Sequence, residues 1–449
     1  MLVLMLTQKA NAQGSFREVD STSYSMYMHN QWRELASYGE KANNNGYDYY
    51  YLNVRTGRAF FELKDYKTAQ YYFEKALKNN SASDFAREYL FWCLYDQEKE
   101  PEALEIYKQL PDSVKEKMDY NPTKPLDYVF VSGGIKFSND KTAADNLYYG
   151  RFALQHKFSP RFDLYHSYTY MQQKQVWGSM QQHQYIFLPG VNLKNQWRIS
   201  ATLNYSSYQS QLNYDDTFDW TNHSNLSTDT GNYFIDTSAA QTYGFHGDYK
   251  QNALLARLSI NKRIGDWSIT PHASWYGEWN TPNYTKAVYS LYNITVGKAY
   301  TPPPTFYSSS DTTSDDVSSK SLYNQGQFGL DLNYTVKKAL TLGMDINYIY
   351  SSSFTKWNVS PYVSIRFHDR FMLSAYFVSK KNYVLSLFGG TQFLNTYDAI
   401  KNKISFTADI GILQNLRLFT TYQHEAVTDN LSLRNYQFNS LFIGLKFKL

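Results

Sequence analysis

From about residue 127 onward the chain alternates apolar and polar residues in one segment after another, and the connections between segments are tight and long in turn. The final segment shows the pattern plainly. Leu441, Ile443, Leu445, Phe447 and Leu449 share one parity, and Ser440, Gly444, Lys446 and Lys448 share the other. A period of two puts the apolar set on one face of an extended strand and the polar set on the opposite face. One such strand fits any half-buried sheet. About fourteen of them, joined alternately by short turns and long loops, are how a transmembrane antiparallel β-barrel of the outer-membrane type is written.

Strands are expected near 127–138, 147–158, 162–172, 182–193, 197–209, 251–264, 267–279, 323–335, 339–351, 357–367, 371–380, 402–412, 416–427 and 436–449. The tight connections are Ser159-Pro160-Arg161, Lys194-Asn195-Gln196, Gly265-Asp266, Val336-Lys337-Lys338, His368-Asp369-Arg370 and Leu413-Gln414-Asn415, at every second junction. Short turns mark the periplasmic end of such barrels and long loops the extracellular end. Both ends of the barrel segment then fall on the periplasmic side, so the strand number is even. About fourteen are expected, with twelve and sixteen open because 285–299 and 383–394 are strand-like stretches assigned here to loops.

Composition agrees with a barrel and excludes other classes. The chain has 43 Tyr, 28 Phe and 9 Trp, with aromatic residues at 18%, yet mean hydropathy is -0.56. No apolar run approaches the roughly 18 residues a transmembrane helix needs. A barrel reconciles the two, because only alternate residues of each strand meet outer-membrane lipid, and rings gather where headgroups meet hydrocarbon. With 44 basic and 40 acidic side chains the net charge is only +4, which gives no electrostatic basis for binding nucleic acid. The single cysteine, Cys93, can form neither an intramolecular disulfide nor a thiolate metal cluster.

Residues 1–12 read as a signal peptide. Leu2-Val3-Leu4-Met5-Leu6 supplies an apolar stretch and Ala10-Asn11-Ala12 an A-x-A cleavage site before Gln13. The stretch is short and no basic region precedes it, so translation is expected to begin upstream. Gram-negative export is the route this implies.

Over about 20–120 the apolar period is helical. Gly57, Phe60, Ala69, Phe73 and Ala76, with Asp65-Tyr66 at the turn, resemble a tetratricopeptide repeat (TPR). In that repeat, small residues let two antiparallel helices approach while aromatic ones fill the space between them. Ala103 and Tyr107 take the positions of Ala69 and Phe73 in a second unit, where Phe91 replaces the glycine, and Trp32, Leu35 and Tyr38 indicate a helix upstream. Two or three helical hairpins are expected, forming a periplasmic module of the kind that presents a groove to partner segments. Asn121-Pro122 and Lys124-Pro125 end the helices, so 121–126 is a linker and 127–449 the barrel. The fold class is α+β multidomain, a short TPR-like module followed by the barrel.

Parity assigns the walls. On 251–264, Leu254, Ala256, Leu258, Ile260 and Ile264 face lipid, leaving Arg257, Ser259, Asn261 and Arg263 inside; Leu330, Leu332 and Tyr334 oppose Asp331, Asn333 and Thr335, and Leu342, Met344 and Ile346 oppose Gly343, Asp345 and Asn347. The expected lumen charges are Arg198, Arg257, Arg263, Asp331, Asp345, Arg366, Asp409 and Arg417. Two readings stand: wall-to-wall pairing with Asp163, Asp331, Asp345 and Asp409, or a basic collar of Arg198, Arg263, Arg366 and Arg417 near the short turns that favours anions.

Two long connections carry chemistry of their own. Residues 213–220, Asn-Tyr-Asp-Asp-Thr-Phe-Asp-Trp, mix rings and carboxylates that could stack a sugar or ligate calcium, but match no defined calcium loop. Both this stretch and 301–320, which opens Thr-Pro-Pro-Pro, read foremost as solvated surface loops, the second disordered or extended. Catalytic constellations are weak. His156 with His166, or His424 with Glu425, are the only candidates weighed, and no catalytic, metal or cofactor site is expected.

With its signal peptide, the residues Gly57, Ala69, Phe73 and Ala76, and a Tyr-rich barrel ending Leu-Phe-Ile-Gly-Leu-Lys-Phe-Lys-Leu, the chain resembles the YaiO-type outer-membrane barrel proteins, particularly the TPR-fused forms of Bacteroidota. Leu449 departs from the commonest terminal phenylalanine of such barrels. The resemblance implies no defined activity. The layout is also similar to TPR-barrel exopolysaccharide exporters, which usually carry more repeats. Two functions follow. The preferred one is a non-enzymatic protein whose periplasmic helices dock an envelope protein partner, periplasmic or in the outer membrane, with the barrel as anchor, assembly platform or restricted channel. The alternative is a conduit for an exopolysaccharide, another glycan polymer or a solute.

Overall fold

A computed structural model describes residues 15–118, 120–141, 144–175, 178–228, 231–298, 301–317, 322–336, 339–368, 370–387, 392–428 and 435–449. The expected signal peptide with its Ala12-Gln13 cleavage site, Asp119, the Lys337-Lys338 turn and Asp369 lie outside the described residues. The chain divides into two units. One comprises the residues up to Lys124 with the segments Lys157–Phe162 and Asn192–Trp197; the other comprises the remainder.

The first unit is helical: α1 (Phe16–Met28), α2 (Trp32–Asn44), α3 (Tyr50–Glu62), α4 (Tyr66–Asn79), α5 (Asp84–Asp96), α6 (Glu100–Lys108) and the short α7 (Asp112–Lys115). Side chains at three N-termini accept otherwise unpaired backbone N–H groups: Ser15 from Glu18, Asp65 from Thr68 and Ser83 from Ala86. The turns within the pairs α1–α2, α3–α4 and α5–α6 share one geometry. Each has a left-handed residue, Asn30, Lys64 or Glu98, and these stand 34 residues apart. Each closes with the same two backbone bonds, Asn30 to Tyr27 and Gln31 to Met26, Lys64 to Phe61 and Asp65 to Phe60, Glu98 to Tyr95 and Lys99 to Leu94, which is the Schellman arrangement. The unit is therefore three copies of one helical hairpin.

Its core lies between the hairpins. Ala69, Phe73, Ala76, Phe91, Cys93 and Ala103 are all buried without exposure, and Phe60 and Tyr107 pack on them from the rim. Gly57 is small by necessity, since a Cβ there would stand 3.1 Å from the Phe73 ring. Phe91, at the corresponding place one repeat later, instead fills the space itself against Tyr107 and Tyr120.

The second unit is a closed antiparallel barrel. Its strands are β1 (Lys124–Ser138), β2 (Ala144–Ser159), β3 (Phe162–Gln175), β4 (Gly178–Leu193), β5 (Trp197–Thr228), β6 (Gly231–Ile264), β7 (Trp267–Lys298), β8 (Thr301–Val317), β9 (Leu322–Val336), β10 (Leu340–Ser351), β11 (Thr355–His368), β12 (Phe371–Leu387), β13 (Gln392–Gly411), β14 (Leu416–Thr428) and β15 (Asn435–Lys448). Each pairs with its chain neighbours except at β8. β7 pairs with both β6 and β9, and β15 closes on β1 from Tyr128 opposite Lys448 to Ser138 opposite Phe438. The ring thus has fourteen strands, with β8 outside it on the far part of β7. Closure leaves no unpaired edge in the ring, which is the condition for crossing lipid with strands.

Outside the ring the structure corrects the sequence reading. Residues 213–220 continue β5, and 285–298 continue β7 through a pairing with β6 that runs from Ile264 opposite Trp267 to Tyr233 opposite Lys298. Residues 301–317 are strand β8 rather than a disordered loop, and 383–387 and 392–394 extend β12 and β13. Backbone pairing of β6 with β7, β7 with β8 and β12 with β13 carries the strand character of 285–298, 301–317, 383–387 and 392–394. β8 lies at the end of the strand order, and an outermost strand can accommodate the prolines of 302–304 and aspartates that a central one could not.

Candidate functional site in the barrel lumen

Side-chain parity separates two walls of different chemistry. Val131, Leu258, Ile260, Leu342, Ile365, Leu441, Ile443 and Leu445 point outward and are exposed. Residues of opposite parity on the same strands, such as Arg257, Ser259 and Asp345, are buried inside. An apolar outer band around a polar interior defines an outer-membrane-type β-barrel.

The interior has a packed sector and a hollow one. In the packed sector β6, β7, β9, β10 and β11 contribute a buried polar network. His272 is 3.2 Å from Asp345, whose other neighbour Asn347 donates to it at 2.9 Å, and Gln327 donates to Asn347 at 2.6 Å. Asn333 donates to Asp331 at 3.2 Å, Ser360 to Asn358 at 2.8 Å, and Arg257 to Ser259 at 3.3 Å. Gly329 makes room for the His272 ring, which a Cβ would meet at 2.2 Å. His272 and Asp345 have no side-chain exposure, so this pair has no route to a substrate.

The hollow sector is a cavity of about 640 Å³ bounded by inward residues of β1 to β6 and β12 to β15. On β15 its lining runs from Tyr436 to Lys446, roughly 33 Å of strand. Four cations line it. Lys136 and Lys403 share Glu425, the latter at 2.8 Å, and Lys136 also stands 4.2 Å from the Phe438 ring. Arg151 is held by the hydroxyl of Tyr165. Lys446 sits over Tyr128 at 4.0 Å and Phe130 at 5.1 Å. The lining carboxylates are Glu425 and Asp409, and Asp409 is taken by Arg417 at 2.7 Å.

The lumen charges read from sequence are distributed as follows. Arg198 forms a two-pronged pair with Asp163 at 2.6 and 2.7 Å, and Arg417 pairs with Asp409. Arg257, Asp331 and Asp345 belong to the packed sector, where the Arg257 charge faces both aspartates. Arg263 and Arg366 are exposed near the short turns. The collar of four arginines is thus broken up, because two of its members are engaged by carboxylates on neighbouring strands. Of the four cations of the hollow sector, the sequence reading places only Lys446 on a polar face and none among the lumen charges. Inward parity marks Lys136, Arg151, Lys403 and Lys446, but the pairing of Lys136 with Glu425 depends on the β1–β15–β14 register.

The two histidine candidates separate. His424 and Glu425 are sequence neighbours on β14 and point to opposite walls, His424 toward Asn439 at 3.0 Å and Glu425 toward Lys403. They cannot act together. His156 and His166 do meet, Nε2 to Nε2 at 3.1 Å, on the outward face that also carries Phe158 and Tyr168. The Pro125 carbonyl only accepts, so His156 donates to it from Nδ1. Its Nε2 then accepts from His166 Nε2–H, and His166 Nδ1 accepts from the Tyr185 hydroxyl at 3.1 Å. All four ring nitrogens of the two histidines have partners, which suits a lipid-facing wall.

No family model matches the chain, and no curated protein matches it. Among solved structures it is similar to the CymD monoaromatic hydrocarbon channel, at 7% identity over 73% of this chain and 89% of that one, with a TM-score of 0.44. It is also similar to the translocator domain of the autotransporter NalP from Neisseria meningitidis, at 8% identity over 79% and 98% with a TM-score of 0.32. The P. putida toluene transporter TodX is similar at 8% identity over 72% and 90%, with a TM-score of 0.37. The class of this protein rests on its own closed strand order and two-faced wall: it is an outer-membrane-type β-barrel carrying an N-terminal helical unit.

Proposed function

We propose that the protein is a restricted outer-membrane conduit for small solutes. The observation that carries this is the hollow sector, a polar and aromatic cavity lined along most of the length of β15. The packed sector confines it to one side of the lumen, so the reading favours small solutes over a polymer. Liposomes containing the purified protein should swell in small neutral solutes and not in oligosaccharides. Absence of swelling in every solute would remove the conduit reading.

The helical unit supports a second reading, docking of an envelope protein. Arg55 donates to Asp20 at 2.8 Å and stands over Tyr24 and Tyr51, which are 50% and 61% exposed. Exposed Tyr and Arg side chains anchored in this way are frequent hot spots at interfaces. The 34-residue recurrence of the hairpin supports the TPR-like assignment and, with the barrel behind it, the YaiO-type resemblance. We propose a periplasmic location for this unit. If docking is its purpose, replacing Tyr24 and Tyr51 with Ser should release a partner that co-purifies with the wild type, and retention of that partner would count against it.

A further inference from the structure

Arg151 and Lys446 differ from the other charges of the barrel interior in what compensates them. Arg198 and Arg417 have aspartates, and Lys136 and Lys403 share Glu425. Among the described residues no carboxylate stands within ion-pair distance of Arg151 or Lys446; the phenols of Tyr165 and Tyr149 face Arg151, and Lys446 lies over rings, with Asp409 and Asp127 acting on it only from beyond that distance. The two are joined by a ladder of aromatic contacts. Lys446 stands over Phe130, Phe130 meets Tyr165 at 6.0 Å between centroids, and Arg151 lies 5.8 Å from the Tyr165 centroid. Tyr149 and Phe442 pack together at 5.2 Å on the same wall. All six residues line the one cavity.

Rings attract a cation without neutralising it. A guanidinium and an ammonium without a directly paired carboxylate in a confined lumen raise the local concentration of anions, and apolar ring faces beside them favour a solute with a flat apolar body. We infer that the hollow sector binds small organic monoanions, with a carboxylate or similar group held by Arg151 or Lys446 and an apolar body against Phe130, Tyr149 and Tyr165. Arg151 keeps its charge at any working pH and presents a planar donor edge suited to carboxylates. The inference names the solute class for the conduit reading but needs only binding, not passage.

The test uses three probes of one size: benzoate, benzyl alcohol and benzylammonium, titrated calorimetrically into the folded full-length protein in detergent. Benzoate should bind about tenfold or more tighter than benzyl alcohol, the worth of one charge-assisted hydrogen bond, and benzylammonium least well. Arg151→Gln and Lys446→Gln should each weaken benzoate while leaving benzyl alcohol unchanged, and Lys174→Gln, at an exposed site outside the cavity, should alter neither. Heat-modifiable migration checks that each variant is folded; should Arg151→Gln fail to fold, Arg151→Lys and Lys446→Gln carry the comparison. Equal binding of benzoate and benzyl alcohol, full competition by chloride, or benzoate affinity unchanged in the folded variants overturns the inference. Benzoate binding without solute passage would instead remove the conduit reading and leave this one standing.

Discussion

At the scale of single residues, side-chain parity decides what a charge costs. Val131 and Ser132 are adjacent on β1, yet Val131 is 53% exposed on the outer wall and Ser132 lines the cavity. An arginine on the lipid face near mid-membrane costs roughly 2–4 kcal/mol, whereas one facing a solvated lumen costs far less. Val131→Arg should therefore impair barrel assembly and Ser132→Arg should not, as read from the fraction of heat-modifiable protein on gels. Equal tolerance of the two would contradict the wall assignment. Ser259, the inward neighbour of the outward Leu258 on β6, is a different case. It sits in the packed sector within reach of Arg257, so an added charge there meets a like charge and a filled space. Parity gives the walls of Leu258 and Ser259 from sequence, and the same alternation separates Val131 from Ser132. Partnerships such as Lys136 with Glu425 and His272 with Asp345 were not legible, because they depend on the register between strands far apart in the chain.

At the scale of elements, the helical hairpins and the strands are stabilised by different means. Burial and the neighbouring Asp20 carboxylate push Tyr49 up to about 12, and burial with the Glu40 charge pushes Tyr72 up to about 12. In the unfolded chain both titrate near 10. A raised folded pKa means that their contribution to stability is fully present below about pH 10 and is lost as pH rises through about 12. Asp48 acts in the opposite sense. Burial raises its pKa, but hydrogen bonds from Asn53 and Lys75 outweigh this and hold the carboxyl below its usual range, so that contribution is lost as pH falls in the acid range. Thermal melts followed by helical circular dichroism should accordingly show a lower midpoint at pH 11 than at pH 9; an unchanged or higher midpoint would contradict the assignment. The fourteen ring strands were all legible in the sequence, since lipid on one side and water on the other force alternation. The extensions of β5 to β8 were not, because 213–220 and 301–317 carry Ser, Thr and Asp without a two-residue rhythm.

At the scale of the whole molecule, orientation and passage are the two claims that join structure to function. We propose that the short turns face the periplasm and the β5–β8 extensions the exterior. In a Cys93→Ala background, cysteines at Asp219 and Asp315 should react with an impermeant thiol reagent on intact cells, and a cysteine at Asp266 should not. The reverse pattern would invert the orientation.

The central claim, that solutes pass through the hollow sector, is tested most directly by steady conductance in planar bilayers of the wild type beside Ser132→Trp and Val131→Trp. These neighbours put the same indole into the cavity in one case and onto the lipid face in the other. The account predicts a small steady conductance for the wild type, the same conductance for Val131→Trp, and its loss in Ser132→Trp. A wild type that does not conduct, or a Ser132→Trp barrel that conducts as well as the wild type, would contradict it.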